Sequence, residues 1–293
     1  MDWARDGPSW PHQTHSRFVD VAGQRWHVQD LPGPEGGSAA VLLVHGTGAS
    51  THSWRDLMPR LAAHARVLAV DLPGHGFSGE PPGRDWSLPG LAAQLTTLLR
   101  VLDCPLALAV GHSAGAAILA QAVLHAGLSV PALVSVNGAF LPFGGVAAPL
   151  LSPLARLMYA LPGVPDFIAG RAADPAVVRR LVEGTGSRLD PAGLAMYARL
   201  MADPGHTRAA LAMMAHWELQ PLARALPRLA TPLHLLVGSN DRAVPPSQAR
   251  RLAVMVPVAT LHMLPGGGHL VHEEAPGAVA ERVLVHLPAD VTT

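Results

Sequence analysis

Gly111-His112-Ser113-Ala114-Gly115 is the stretch on which the fold of this chain turns. It satisfies the pattern G-x-S-x-G, and its flanks give the pattern a setting. The apolar run Leu106 to Val110 reads as a strand, and Ala114 to Ala126 reads as a helix with small residues at its start. A strand that hands over to a helix through one serine needs a turn too tight for side chains on both sides, so Gly111 and Gly115 leave room that Cβ atoms would fill. Such a turn exposes the Ser113 hydroxyl. The helix behind it aims free amides and the positive end of its dipole at the same place, which makes the Ala114 N–H one candidate donor to an oxyanion.

Working outward, Val41-Leu42-Leu43-Val44 is a continuous apolar run, suited to a strand buried on both faces, and it ends at His45-Gly46-Thr47-Gly48. A second oxyanion amide is expected after that strand. Thr47 N–H is the candidate, Gly48 is the alternative, and His45 reads as structural. Val67 to Val70 repeats the buried-strand signal, with helices expected from Trp54 to His64 and from Leu91 to Leu102. Before these, Phe18 to Val21 and Arg25 to Gln29 flank Ala22-Gly23 as a hairpin. Downstream, Leu133 to Val136, Leu233 to Val237 and Thr260 to Met263 read as strands, the last two separated by a helix from Ser247 to Val256. This alternation predicts an α/β fold with a mostly parallel central sheet flanked by helices. It fails from Phe140 to Leu222, a stretch rich in Pro, Leu, Met and Ala. The expected organisation is a core over 1–139, a helical lid over 140–222 above the carboxyl edge of the sheet, and the rest of the core over 223–293.

A serine hydroxyl attacks only when a base takes its proton, and the order expected after the turn is acid and then histidine. Asp241 stands in Gly238-Ser239-Asn240-Asp241-Arg242, directly after one strand, and His269 in Gly266-Gly267-Gly268-His269, after the last. Among 16 histidines, position singles out His269. His272 is the nearest competitor and is assigned to the next helix, whose first turn suits Glu273 and Glu274. His112 is read as lining or supporting the turn, its side chain directed away from the Ser113 hydroxyl. Asn137 follows the strand Leu133 to Val136, an alternative place for the acid, but it carries no charge. Most other histidines, such as His64, His125, His216 and His286, read as surface or packing residues.

Other readings are excluded on the same terms. Asp71-Leu72-Pro73-Gly74-His75-Gly76-Phe77-Ser78 invites a metal site through Asp71 and His75, yet its Pro and Gly residues read as a loop leaving a strand. No convincing metal set and no phosphate-cradling or dinucleotide-binding glycine pattern is present, so no cofactor is expected. Lys plus Arg and Asp plus Glu each number 21 of 293 residues, which gives no electrostatic reason for a nucleic-acid partner. Cys104 alone allows no internal disulfide. The amino-terminal residues lack the basic start and apolar run of a secretory signal, and no run reaches the ~20 apolar residues that span a bilayer. The expected place is the cytoplasm, with at most a peripheral membrane contact.

Together, His45-Gly46-Thr47-Gly48, Asp71 to Ser78, Gly111 to Gly115, Asp241 and His269 resemble the α/β-hydrolase superfamily across essentially the whole chain. Within it, Trp3-Ala4-Arg5-Asp6-Gly7, Trp10-Pro11, Ser16-Arg17-Phe18-Val19, Arg25-Trp26-His27-Val28-Gln29 and the run from His45 to Leu57 are similar to the magnesium-chelatase accessory hydrolases of bacteriochlorophyll biosynthesis. That resemblance implies a pigment-pathway role, a magnesium chelatase contact and a tetrapyrrole ester as a candidate substrate. Phe140, Phe143, Met158, Tyr159, Met196, Tyr197, Met213 and Met214 give the lid an apolar character that suits a large flat ester and suits ordinary packing equally. Phe140, Phe143, Met158, Tyr159 and Met213 are the substrate-binding candidates. The expected reaction is acyl transfer to water: His269 deprotonates Ser113, Ser113 attacks an ester or related carbonyl, and Asp241 orients the imidazole. Ser113 argues against dehalogenase and epoxide hydrolase chemistry, which would need a carboxylate at that position. Carbon–carbon bond hydrolysis and cofactor-free haloperoxidase chemistry use the same three residues and stay open. A non-catalytic accessory that binds a porphyrin or the chelatase is the rival from a different class.

Overall fold

The computed structural model describes residues 1–34, 39–142, 157–161, 163–172 and 174–288. A short helix, α1 (Trp3–Asp6), precedes one sheet of eight strands: β1 (Ser16–Val21), β2 (Gln24–Leu31), β3 (Ala40–Val44), β4 (Arg66–Val70), β5 (Leu106–His112), β6 (Leu133–Val136), β7 (Leu233–Gly238) and β8 (Ala259–Leu264). Their spatial order is β1-β2-β4-β3-β5-β6-β7-β8. The β1–β2 and β2–β4 pairs are antiparallel and every pair from β4 to β8 is parallel. Right-handed crossovers between parallel strands require helices on both faces, and both faces are covered.

β3 shows how the sheet is held. All five of its residues are buried, and they divide by alternation: Leu42 and Val44 enter one apolar cluster, Val41 and Leu43 the other. On the first face pack α3 (Leu88–Leu102) and α4 (Ala114–Gln121), through Leu91, Leu95, Leu98, Ala117 and Ile118. On the second pack α2 (Met58–Ala62) and α12 (Pro276–Leu284), through Met58, Leu61, Val279 and Val283. Truncating one such leucine to alanine costs about 2–5 kcal/mol, because the close-packed surroundings cannot collapse into the space.

Several elements depart from the expected bounds for identifiable reasons. The helix expected from Trp54 to His64 is only α2, preceded by a 3-10 turn at Thr51–Trp54. Pro59 sets its start: with no N–H to give to the preceding turn, it belongs in a first helical turn and not in the middle of a helix running on from Trp54. α3 starts at Leu88, ahead of Leu91, since Ser87 Oγ accepts the Gly90 amide at 3.1 Å and Pro89 is tolerated in a first turn. The helix after Ser113 is α-helical to Gln121 and then loosens into a π turn, Ala122–Ala126, which ends at Gly127 with φ 74°. β5 continues past Val110 through His112, whose pairing with Val136 carries the strand right up to the serine.

Between β6 and β7 the described residues form α5 (Val164–Ala172), α6 (Pro175–Gly184), α7 (Pro191–Met201), α8 (Pro204–Ala215) and α9 (Gln220–Ala225). Three of them open on the same dipeptide. Asp174, Asp190 and Asp203 each cap the helix begun by the following proline, accepting the amides of Ala176, Gly193 and His206. After β7 come α10 (Pro246–Met255), then β8, α11 (Val271–Glu274) and α12. The carboxyl ends of β3, β5, β6, β7 and β8 thus share one edge of the sheet. Ligands of open parallel sheets bind at that edge.

Candidate active site

Ser113 joins β5 to α4 with φ 50° and ψ −116°, a conformation that costs a non-glycine residue on the order of 1–3 kcal/mol. Its surroundings hold it there. Its amide donates to Val136 O at 3.0 Å, and its carbonyl accepts from Ala116 N at 3.2 Å and Ala139 N at 3.0 Å. A Cβ on Gly111 would come within 2.5 Å of the Ala116 backbone, and one on Gly115 within 2.2 Å of Val44 O. Both glycines are therefore steric requirements of the turn. Ala114 opens α4, where a first-turn amide has no partner within the helix.

The loop after β3 folds against this turn. A Cβ on Gly46 would stand 2.9 Å from Ser113 Cβ, so the two backbones are in close contact. Ala49 N donates to Gly46 O at 3.2 Å and Gly48 takes φ 74°, which places Thr47 and Gly48 at the centre of a tight turn beside Ser113. His206 of α8 fastens that turn from above. One ring nitrogen accepts the Gly76 amide at 3.0 Å, and the other donates to Gly48 O at 3.1 Å. Burial pushes His206 down to about 4, which keeps it neutral and able to accept on one side while donating on the other.

Asp241 hangs from the end of β7. One carboxylate oxygen accepts the amides of Ala243 and Val244, both at 2.8 Å, and the other receives His269 Nδ1 at 2.8 Å. An acceptor-only carboxylate fixes the proton on Nδ1 and leaves Nε2 with its lone pair. Both residues are buried. His272 is brought elsewhere: it packs between Trp54 and His112, at ring distances of 4.6 and 4.3 Å, and burial pushes it down to about 3. His112 is held well below the ordinary imidazole range, first by burial and then by His272 and His269; its Nε2 donates to His269 O at 3.0 Å.

Ser113 and His269 line the same cavity, of about 320 Å³. Thr47 and Gly48 form part of its wall, and Ile168, Leu181, Met201, Leu211 and Met214 from the insertion helices make the rest largely apolar. A larger, polar opening of about 850 Å³ lies behind Asp241, between Glu183, Arg188 and Arg242, and neither Ser113 nor His269 borders it. The smaller cavity is therefore the one placed for chemistry.

The structure distributes the expected apolar contacts differently. Phe140 and Met213 are buried in the main core cluster, and Tyr159 packs beside Trp86, Ala209 and Ala212. Neither they nor half-buried Met158 are among the residues that line the cavity; Phe143 lies outside the described residues. Met213 touches the site indirectly, accepting the Thr47 hydroxyl on its sulfur at 3.4 Å. Asp71 serves its loop, taking the amides of Thr51 and Phe77 at 2.7 and 2.9 Å. It also accepts His27 Nδ1 at 2.7 Å, and His27 Nε2 meets Ser16 Oγ at 3.0 Å. That second Ser–His–Asp chain is enclosed by Trp3, Phe18 and Phe77 and pins the first strand to the loop after β4. Among the described residues no cluster of three or more His, Cys, Asp or Glu is arranged to hold a metal, and no helix is long and apolar enough to cross a membrane.

Sequence reasoning misses the hydrogen-bonding roles of four residues: Asn137, His206, and Glu273 with its partner Tyr197. For Asn137 the available signal was one polar residue at the carboxyl end of a buried strand. His206 and Glu273 resemble any other surface-helix histidine or glutamate until the fold is known.

Residues 41–282 match the model of the alpha/beta hydrolase family. The chain is 39% identical over 276 residues to the magnesium-chelatase 30 kDa subunit of Rhodobacter capsulatus, a match covering 94% of this chain and 95% of that one. Among solved structures it is similar to an alpha/beta hydrolase fold protein from Burkholderia ambifaria, with a TM-score of 0.75 at 25% identity, covering 92% of this chain and all (100%) of that one. A hydrolase from Pseudomonas aeruginosa shares the fold at 24% identity with a TM-score of 0.73, over 94% of this chain and 98% of that one.

Proposed function

This chain belongs to the alpha/beta hydrolase family, and from that premise we propose that it is a serine hydrolase acting on an ester or related carbonyl of a largely apolar substrate. His269 Nε2 takes the Ser113 proton as Oγ attacks the carbonyl carbon, and the amides of Thr47 and Ala114 hold the resulting oxyanion. The imidazolium, stabilised by Asp241, then protonates the leaving alcohol. Water, deprotonated by His269 in turn, releases the acid and regenerates Ser113. The observation that carries this reading is the pairing of Asp241 with His269 at 2.8 Å beside a serine held at φ 50°, with serine and histidine lining one apolar cavity.

The 320 Å³ cavity sits at the small end of the ~300–1,000 Å³ typical of ligand sites. It suits an acyl chain, or the ester arm of a tetrapyrrole whose ring system rests at the mouth, with the segment 140–222 as the lid. The similarity to a chelatase subunit supports a place in bacteriochlorophyll biosynthesis beside magnesium chelatase. The same similarity supports a second reading, in which the chain binds a porphyrin or the chelatase without catalysis.

A fluorophosphonate serine probe, with the adduct mapped by mass spectrometry, tests the first reading. Labelling at Ser113 is expected in wild type and absent in Ser113→Ala, and it falls by orders of magnitude in His269→Ala. No labelling of folded wild type overturns the proposal. Pigment formation restored in a deletion strain by Ser113→Ala moves the assignment to the binding role.

A further inference from the structure

We propose that Asn137 is the positioning residue that sets His269 in register with Asp241 and Ser113, an inference that rests on the serine-hydrolase reading. Asn137 directly follows β6 and is only 1% exposed. Its backbone takes φ 49°, and its amide donates to Leu236 O at 2.9 Å. The side chain then reaches two loops at once. Its Nδ2 donates to Gly268 O at 2.9 Å and to His269 O at 2.8 Å, while its Oδ1 accepts the Gly238 amide at 2.9 Å. Gly238 ends the strand from which Asp241 hangs three residues later, and Gly268-His269 is the loop that carries the base.

One carboxamide therefore ties the backbone of the acid's strand to the backbone of the histidine. His112 adds a second grip on the same His269 carbonyl at 3.0 Å, from the residue that precedes Ser113. The His269 backbone is thus held from two neighbouring strand ends. The packing tolerates little drift, since a Cβ on Gly238 would come within 2.5 Å of both Gly267 O and Gly268 O. Only an amide fits this role. An aspartate at 137 would keep an acceptor for Gly238 N but would turn oxygen toward two carbonyl oxygens, a repulsion that a site this buried screens poorly. The side-chain hydrogen bonds of Asn137 go to backbone groups and not to the imidazole ring or the Ser113 hydroxyl, so it acts through the His269 backbone. Displacements of about 1 Å at a reacting pair cost on the order of 10²-fold in rate.

The test compares wild type with Asn137→Asp, Asn137→Ala and Asn137→Ser, where serine keeps one donor and guards against a variant that fails to fold. Circular dichroism confirms folding. The rate of Ser113 labelling by the fluorophosphonate is then measured, alongside the far-downfield proton resonance of the His269 Nδ1–H bonded to Asp241. In folded variants the labelling rate is expected to drop about 10²-fold for Asp and Ala and less for Ser, with the proton resonance shifted or lost and KM for a chromogenic ester nearly unchanged. A labelling rate within about threefold of wild type in folded Asn137→Ala, with an unmoved resonance, overturns the inference. Failure of wild type to label at Ser113 overturns the hydrolase reading instead, and the resonance then judges Asn137 alone: a signal shifted or lost in the variants upholds the positioning role, and an unmoved one overturns it.

Discussion

Tyr197 donates its hydroxyl to Glu273 Oε1 at 2.7 Å, and through that bond α7 of the insertion rests on α11, the helix that follows the His269 loop. Arg55 approaches the other oxygen of Glu273 at 3.5 Å and also pairs with Asp190, the residue that caps α7. The carboxyl is buried, and burial pushes it up to about 8 although the tyrosine hydroxyl and the guanidinium both pull it down. Tyr197 also lines the cavity, so the bond ties one wall of that space to the helix that follows the His269 loop.

A carboxyl that keeps its proton in the fold but gives it up near pH 4.5 when unfolded stabilises most at low pH. That contribution is present below about pH 4.5 and lost as pH rises through about 8. Glu273→Gln, which keeps the shape and drops the titration, is expected to flatten the stability profile between pH 5 and 9 by about 2–4 kcal/mol. Urea denaturation across that range decides the matter, and parallel profiles for the two proteins would remove Glu273 from the account.

His272 works in the opposite direction. It is neutral in the fold, held down to about 3 by burial, so its contribution is present above about 6.5 and lost as pH falls through about 3. Neither ring nitrogen has a hydrogen-bond partner among the described residues; Nε2 lies 3.9 Å from Glu273 Oε1, and the ring packs on Trp54 and His112. His272→Phe is expected to keep the packing and to lower the acid midpoint of unfolding by half a pH unit or more, roughly the proton's share of a cooperative transition. An unchanged or higher midpoint would contradict it.

Gly115→Ala is a test of the turn alone. Its Cβ would stand 2.2 Å from Val44 O and 2.6 Å from His45 O, neither of which can swing aside as a flexible side chain would. A loss of about 2–4 kcal/mol in unfolding free energy is expected, by analogy with overpacked cores. Retention of wild-type stability would mean that β3 and α4 can separate more easily than their contacts imply.

Asp241→Asn leaves the size of the acid unchanged while giving it a donor. The amide must present its oxygen either to the Ala243 and Val244 amides or to His269 Nδ1, and it cannot serve both as a carboxylate does. If it keeps the former, the histidine is driven to the wrong tautomer. Turnover of a chromogenic ester is expected to fall about 10³–10⁴-fold with the melting temperature nearly constant. A loss below tenfold would take Asp241 out of the proposed mechanism.

Much of the sheet is legible in the sequence because buried parallel strands are apolar on both faces, and Val41–Val44 or Leu133–Val136 need no partner to be recognised. Asp241 and His269 stand out by chain order, and the structure brings them into contact across 28 residues. What escapes the sequence is joined over longer separations: Asn137 to His269 over 132 residues, His206 to Gly48 over 158, Tyr197 to Glu273 over 76. Such pairs depend on which strand ends lie side by side, and no local pattern encodes that. Apolar composition likewise announces that Phe140 and Met213 are buried without saying whether they face a void or the core, and the core is where both sit. Pro59 accounts for the start of α2 at Met58, well after Trp54.

Ser113 and Asn137 end neighbouring strands, and both occupy positive φ, at 50° and 49°, without being glycine. Glycine at 113 would relax the backbone by about 1 kcal/mol, whereas glycine at 137 would strip the carboxamide from the buried Gly238 amide and Gly268 carbonyl, at about 1–3 kcal/mol for each. Stability-guided redesign of this protein would therefore choose glycine at 113, erasing the proposed nucleophile, and would keep the asparagine at 137. The strain stored at Ser113 is one an engineer must leave in place.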